Sequence, residues 1–208
     1  MVLLDTLKNR FEYEQDLLRA DEPVNDILFW ESHKALAISG RDARLPHAEE
    51  AISVVSNSDW PVLTRKSGGS AFPVASGVLN ISILRNYPAD VLLNADANYK
   101  SLANWLLRGL KPLNLNISVG QTNNALCDGR YNLMIDGKKF IGTSQQWHRR
   151  PDGSKCRQYR SSVVFGDGVA SAGGAACQQS DGRWLALNDA FKESGENSAL
   201  EFLANGEG

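Results

Sequence analysis

The sequence is poor in the side chains on which metal sites and disulfide frameworks depend. Its 208 residues include three cysteines and three histidines, all scattered singly, and no Cys-x-x-Cys pair. A zinc site needs clustered thiolate or imidazole ligands, so this spacing predicts no metal site. An odd, sparse set of cysteines favours reduced thiols and therefore a cytoplasmic protein.

Long apolar runs and an excess of basic charge are also missing. The longest apolar runs, such as Val91-Leu92-Leu93, fall far short of the roughly 20 residues that a membrane-spanning helix needs. Because Met1 to Leu4 is followed at once by Asp5, we expect no signal peptide and no membrane association. The formal net charge of -2 and the isoelectric point near 5.9 argue against nucleic acid as the main partner.

The apolar pattern predicts a chain of mixed helices and strands. Helices are expected over 11–20, 46–56 and 99–110, with two helical pieces in 184–204, and strands over 27–31, 34–38, 60–65, 77–84, 115–119 and 158–165. The clearest hairpin joins strands 131–135 and 139–147 through the turn pair Asp136-Gly137. This pattern indicates an α+β fold with mixed, mostly antiparallel sheets flanked by helices. The length suits one domain over residues 1–208.

A glycine pair follows the predicted strand 60–65. Gly68-Gly69 is either a plain turn or a place where bare backbone approaches a ligand and aims N–H groups at a carbonyl oxygen or oxyanion. No Gly-Lys-Ser/Thr follows, which excludes a phosphate-binding P-loop. Arg65 is either a solvated charge at the strand end or an anchor for the acceptor or the ligand. Asn80 lies within a predicted strand, where asparagine is disfavoured, and either satisfies a neighbouring loop or lines a pocket.

A cysteine and a lysine twelve positions apart carry the most reactive groups. Cys127 lies in the loop-like stretch Cys-Asp-Gly-Arg, which favours a reactive thiol over the usual role of a free cysteine as a small buried hydrophobe. The thiolate is the nucleophile, and a nearby ammonium group stabilises it. Two successive lysines begin the hairpin strand and point to opposite faces, so that Lys139 can face a pocket. Gly142 marks a close approach of ligand or backbone, and the small polar residues Thr143 and Ser144 follow it.

Taken in order, these pieces resemble the lipoate–biotin protein ligase and octanoyltransferase superfamily. The resemblance covers about 27–165 and is carried by Arg65-x-x-Gly68-Gly69, the strand with Asn80, and Lys139-x-x-Gly142-x-Ser144-Gln145. The stretch from Cys127 to Gln145 is similar to the cysteine-dependent octanoyl-[glycine cleavage H protein] amidotransferases. The resemblance implies a biotin/lipoate protein ligase-like catalytic domain. It makes Cys127 and Lys139 catalytic and assigns substrate binding to Arg65, Gly68, Gly69, Asn80, Gly142, Thr143 and Ser144.

The same resemblance implies acyl transfer in lipoate attachment. A Cys127 acyl-enzyme would take an octanoyl or lipoyl group from acyl carrier protein or the glycine cleavage H protein and pass it to a lysine of a lipoyl domain. No cofactor is expected. The alternatives are a lipoate–protein ligase that uses ATP and Mg²⁺, and a non-catalytic module that binds lipoyl domains or acyl groups. Cys177 is the alternative nucleophile.

Overall fold

The computed structural model describes most of the chain up to residue 164. The described residues are 7–20, 25–30, 32–69, 71–75, 78–92, 94–121, 129–151, 153 and 155–164, without the side chains of 7, 113, 138 and 155–164. The helical pieces predicted within 184–204 lie outside these residues.

Three α-helices and nine strands follow one another along the described residues. The helices are α1 (Leu7–Arg19), α2 (Ala48–Asn57) and α3 (Ala95–Leu110), with single 3-10 turns at Asp42–Arg44 and Lys111–Leu113. The strands are β1 (Asp26–Trp30), β2 (Ala35–Ser39), β3 (Val62–Arg65), β4 (Phe72–Val74), β5 (Val78–Tyr87), β6 (Ile117–Gly120), β7 (Asn132–Ile135), β8 (Lys138–Arg149) and β9 (Lys155–Val164). In α3, the side chain of Asn94 caps the first turn by accepting from the Ala97 N–H at 3.1 Å.

The strands form two sheets of different size. The large sheet has six strands in the order β1-β5-β9-β8-β7-β6, and every neighbouring pair is antiparallel. The small sheet has the order β3-β2-β4, with β3 parallel and β4 antiparallel to β2. A parallel pair needs a crossover, and α2 lies in the connection between β2 and β3. The predicted α+β class with mixed, mostly antiparallel sheets is confirmed.

The two faces of the large sheet have different covers. Leu79, Ile81 and Ile83 alternate along β5 and pack with the buried face of α3, which includes Trp105. On the opposite face of β5, Val78 packs with residues of the small sheet and Leu84 packs with Leu18 of α1. The large sheet therefore lies between α3 on one side and α1 with the small sheet on the other.

The predicted hairpin is confirmed, and its turn explains the register. Asp136 and Gly137 have φ of 51° and 73°, which suits a two-residue turn, and β7 pairs with β8 directly beyond them. The predicted strands over 27–31 and 34–38 also form, but they belong to different sheets. Strand β4 was not predicted, because it is a short edge strand of three residues that contains Pro73. No helix in the described part of the chain is long and apolar enough to cross a membrane.

Candidate functional site

The pairing of three strands places Asn80 and Gly142 in one row of the large sheet. Asn80 of β5 pairs with Ser162 of β9, and Ser162 pairs with Gly142 of β8. Residues directly opposite each other in an antiparallel sheet share a face. Asn80 and Gly142 therefore face the same side, two strand spacings or about 10 Å apart. This is the side covered by α1 and the small sheet, and it is called the site face below.

A bulge brings Lys139 onto the site face beside Gly142. Met134 pairs with Lys139, but its neighbour Leu133 pairs with Ile141, so Phe140 is an extra residue in β8. In a regular strand, residues three apart point to opposite faces, and the extra residue cancels this difference. Lys139 and Gly142 consequently share the site face, while Phe140 and Ile141 are buried in the core beneath α3.

Contact between Lys139 and Gly142 is close. A methyl group on Gly142 would lie 3.1 Å from Lys139 Cε and 3.3 Å from Nζ, which is tighter than nine in ten real contacts of a Cβ atom. The ammonium group therefore lies over bare backbone, in a space that any side chain at position 142 would enter. Gly142 was predicted to mark a close approach of ligand or backbone, and what approaches it here is the side chain of Lys139.

Arg65 is buried at the end of β3 and engages the glycine loop. Its side chain is only 3% exposed, so the interpretation as a solvated charge is wrong. Arg65 Nη1 donates to Ser67 Oγ at 2.9 Å, to the Ser67 carbonyl oxygen at 3.2 Å and to the Gly68 carbonyl oxygen. Its guanidinium carbon lies 5.0 Å from the centre of the Phe72 ring. Gly68 and Gly69 are exposed, and Gly69 has a φ of 99° that favours glycine.

The three other predicted binding residues fall in different places. Asn80 is fully buried, and its Nδ2 donates to the carbonyl oxygen of Val78 at 3.3 Å. Ser144 lies on the site face, two residues beyond Gly142. Thr143 lies on the opposite face, where its Oγ1 donates to the carbonyl oxygen of Tyr131 at 3.0 Å. The structure therefore brings Asn80, Lys139, Gly142 and Ser144 to one face and does not bring Thr143 there.

Both candidate nucleophiles, Cys127 and Cys177, lie outside the described residues. The chain after Cys127 is described from Gly129 onward, and it is held against α3. The rings of Tyr131 and Tyr99 stack in parallel with centres 5.1 Å apart, and Arg130 Nη2 lies 3.1 Å from Asp96 Oδ1. Burial raises the pKa of Tyr131, as do a hydrogen bond to Asp96 and the charge of Asp96, whereas the charge of Arg130 lowers it.

A cleft of about 280 Å³ opens between α1, the end of β3 and β8. It is lined by Phe11, Glu12, Gln15, Asp16, Arg19, Thr64, Arg65, Lys66 and Gln146. Because Gln146 lies on the site face of β8, the cleft places the start of the glycine loop beside that face. Neither this cleft nor the anchoring of Tyr131 on Tyr99 was predicted, because each depends on contacts between distant parts of the chain. No cluster of three or more potential metal ligands occurs among the residues that the structure describes.

The two sheets and the helices define an α+β domain that carries Lys139 on one face of its large sheet. Residues 7–151 match the lipoyl protein ligase A/B catalytic domain, and the chain belongs to this family. Residues 179–208 match a second family model, a domain of unknown function named DUF8667.

The similar proteins include transferases whose names give octanoyl-[GcvH] or lipoyl-[GcvH]. An octanoyl-[GcvH]:protein N-octanoyltransferase of Bacillus velezensis is 31% identical over 117 residues, which are 56% of this chain and 40% of the relative. The protein of that name from Exiguobacterium sibiricum is 33% identical over 117 residues, 56% of this chain and 42% of the relative. A lipoyl-[GcvH]:protein N-lipoyltransferase of Listeria monocytogenes is 29% identical over 117 residues, which are 56% of this chain and 42% of the relative. The chain spans about two fifths of the length of these relatives.

Solved structures of lipoate–protein ligases share the fold. Lipoate-protein ligase A bound with ATP matches with a TM-score of 0.63 and 15% identity, covering 93% of this chain and 87% of that one. A bipartite lipoate protein ligase of Thermoplasma acidophilum, studied with its E2 lipoyl domain, matches with a TM-score of 0.64 and 14% identity, covering 93% and 86%. At these identities the likeness establishes the fold, and it confirms the ligase-like architecture implied by the sequence.

Proposed function

We propose that this chain is an acyltransferase that moves an octanoyl or lipoyl group from a donor protein to a lysine of a lipoyl domain. The observation that carries the proposal is the ammonium group of Lys139, held over Gly142 on the site face. The names of the relatives support the class of acyl group and an octanoyl- or lipoyl-GcvH as donor. Acyl carrier protein is the other donor that the sequence resemblance implies.

In the proposed first step, the Cys127 thiolate attacks the carbonyl carbon of the donor. The carbonyl oxygen becomes an oxyanion beside the Lys139 ammonium, which also favours the thiolate form of Cys127. When the intermediate collapses, the bond from the acyl carbon to the donor breaks, and the donor amine or thiol takes up a proton from solvent as it leaves. The acyl group is then a thioester on Cys127.

In the second step, the amine of the acceptor lysine attacks this thioester. A second oxyanion forms at the same position, the carbon–sulfur bond breaks, and Cys127 leaves as the thiolate. The attacking nitrogen loses a proton and remains joined to the acyl group as an amide. The same hydrogen-bond donors can stabilise both steps, because in each step negative charge develops on the carbonyl oxygen of the acyl group.

Intact-mass spectrometry after incubation with octanoyl-GcvH or octanoyl acyl carrier protein tests the covalent route. We expect one added octanoyl group on the wild-type chain and on Cys177→Ala, and none on Cys127→Ala. An adduct that forms on Cys127→Ala but not on Cys177→Ala would instead identify Cys177 as the nucleophile. ATP-dependent lipoylation retained by Cys127→Ser would favour the ligase, and binding of a lipoyl domain without turnover would favour a non-catalytic module.

Replacement of Lys139 tests the role of its charge. Lys139→Met keeps a long, flexible side chain but removes the ammonium group. Loss of one oxyanion donor typically costs on the order of 100- to 1000-fold in rate, so we expect octanoylation of Cys127 to slow by that order. The control is Lys111→Met, at an exposed position beyond α3, which should leave the rate unchanged. An equal rate for Lys139→Met and wild type would remove Lys139 from the mechanism.

A further inference from the structure

The carbonyl oxygens of Ser67 and Gly68, which both accept from Arg65 Nη1, belong to consecutive peptide groups. The described part of the chain has no cis peptide bond, and in a trans peptide the C=O and N–H bonds point in opposite directions. Because both carbonyls turn toward the guanidinium, the N–H groups of Gly68 and Gly69 turn away from it. Successive main-chain N–H groups that point the same way form a concavity suited to negative charge.

Burial differs between the two sides of this loop. Arg65 and Ser67 are 3% and 4% exposed, whereas Gly68 and Gly69 are exposed. A methyl group on Gly68 would meet no heavy atom within 4 Å, so there is open space beside this residue. A bound molecule can therefore reach the glycine backbone, while the buried guanidinium donates to the loop through Nη1.

We propose that Arg65 is a positioning residue that holds the N–H groups of Gly68 and Gly69 toward the oxyanion, and that it does not itself contact the acyl group. This inference rests on the proposed acyl transfer. Donors that are fixed in advance stabilise an oxyanion because they need no rearrangement during the reaction. The Phe72 ring, 5.0 Å from Arg65 Cζ, adds a cation–π contact that keeps the guanidinium in place.

Steady-state kinetics of octanoyl transfer separate positioning from substrate contact. Arg65→Lys keeps the positive charge but replaces the planar guanidinium, which can donate to several acceptors at fixed angles. We expect kcat to fall roughly 10- to 100-fold, because misplaced oxyanion donors weaken only the transition state. The KM for the octanoyl donor should stay within about twofold, since ground-state binding is unaffected.

Arg85→Lys is the matched control. Arg85 also lies over an aromatic ring, with its guanidinium carbon 5.1 Å from the centre of the Tyr87 ring, but it belongs to β5 and not to the glycine loop. We expect wild-type kcat and KM for this variant. A rise in KM with unchanged kcat in Arg65→Lys would overturn the inference and make Arg65 a substrate contact.

Backbone dynamics give a readout that does not need activity. In ¹⁵N-labelled protein, we expect high heteronuclear NOE values for the Gly68 and Gly69 amides, and lower values in Arg65→Lys but not in Arg85→Lys. Equal values in all three proteins would overturn the inference. If the wild-type protein transfers no acyl group from any donor, the proposed function fails, while the NOE comparison still decides whether Arg65 orders the loop.

A second variant guards against misfolding. If Arg65→Lys does not fold, Phe72→Leu weakens the support of the guanidinium and leaves its hydrogen bonds intact. We expect a smaller fall in kcat with the same KM, together with lower NOE values at Gly68 and Gly69. Wild-type kinetics and NOE values in a folded Phe72→Leu variant would count against the positioning role.

Discussion

At the scale of single residues, the contact between Lys139 and Gly142 has the clearest consequence. The lysine needs the space above a backbone without a side chain, and the extra residue Phe140 is what puts both on one face. The absence of a side chain at Gly142 and the presence of the extra residue Phe140 both set the position of Lys139 and leave its charge unchanged. The position of the ammonium group is therefore sensitive to a change at a residue that carries no reactive group.

Gly142→Ala should reduce activity without unfolding the protein. The added methyl group would lie 3.1 Å from Lys139 Cε and would displace the end of that flexible side chain. A shift of about 1 Å at a reacting group can cost on the order of 100-fold, so we expect octanoylation of Cys127 to slow by roughly 10- to 100-fold. The measurement is the rate of adduct formation, with the melting temperature as a check on folding.

Gly120→Ala is the control for crowding alone. A methyl group there would lie 3.2 Å from Met134 Cε, a similar contact with the end of another flexible side chain. We expect a near wild-type rate of adduct formation. Equal losses in Gly120→Ala and Gly142→Ala would show that general strain in the sheet, and not displacement of Lys139, lowers the rate.

The sequence could supply the glycine and the lysine of the candidate site but not their contact. Regular alternation along β8 would place residues 139 and 142 on opposite faces, and nothing in the local composition announces the extra residue between them. The family resemblance assigned substrate binding to Thr143, one of the small polar residues that follow Gly142. Alternation instead turns it to the other face, toward the carbonyl oxygen of Tyr131. The buried role of Arg65 was equally hidden, because it depends on a loop that folds back onto the strand.

At the scale of elements, a buried polar network joins α1 to the large sheet. Trp30 Nε1 of β1 donates to Ser82 Oγ of β5 at 3.0 Å, and Ser82 Oγ donates to the Glu14 carboxylate of α1. Arg10 Nε lies 3.5 Å from Glu14 Oε1, and the side chains of both residues are almost completely buried. One serine hydroxyl therefore connects two strands and a helix.

Ser82→Ala should destabilise the fold. The substitution removes a donor from the buried Glu14 carboxylate and an acceptor from the Trp30 N–H, and buried groups left without a partner typically cost about 1–3 kcal/mol. Urea unfolding measures the free-energy difference. Ser118→Ala, on an exposed position of edge strand β6, should stay within about 0.5 kcal/mol of wild type. Equal effects at the two serines would contradict a stabilising role for the network.

Elements were easier to predict than their pairing. The Asp136-Gly137 turn specifies its hairpin locally, and Leu102, Trp105 and Leu106 form an apolar stripe at helical spacing along α3. Both elements were therefore visible in the sequence. The pairing of β5 with β9 joins segments that are far apart in the chain, and the separation of β1 and β2 into two sheets depends on packing. Such long-range contacts leave no local periodic signal.

At the scale of the whole molecule, the open prediction is a single domain over residues 1–208. One cooperative unit should unfold in one calorimetric transition with equal van't Hoff and calorimetric enthalpies. At roughly 0.7 kcal/mol per residue near 60 °C, the enthalpy for 208 residues is about 145 kcal/mol. Two resolved transitions, or an enthalpy that accounts only for residues 7–151, would instead make the segment matched by the second family model a separate unit.

The extra residue Phe140 changes which positions of β8 point to the site face. Lys139, before the extra residue, is odd-numbered and points to the site face. Beyond the extra residue, the even-numbered residues from Gly142 onward point there. Deletion of Phe140 would leave Lys139, Ile141 and Gly142 in regular alternation, with Lys139 and Gly142 still on the site face and Ile141 still in the core beneath α3. The facing of β8 therefore survives the loss of one residue only at the bulge, whereas a one-residue deletion in its regular part would turn the side chains beyond it to the wrong face.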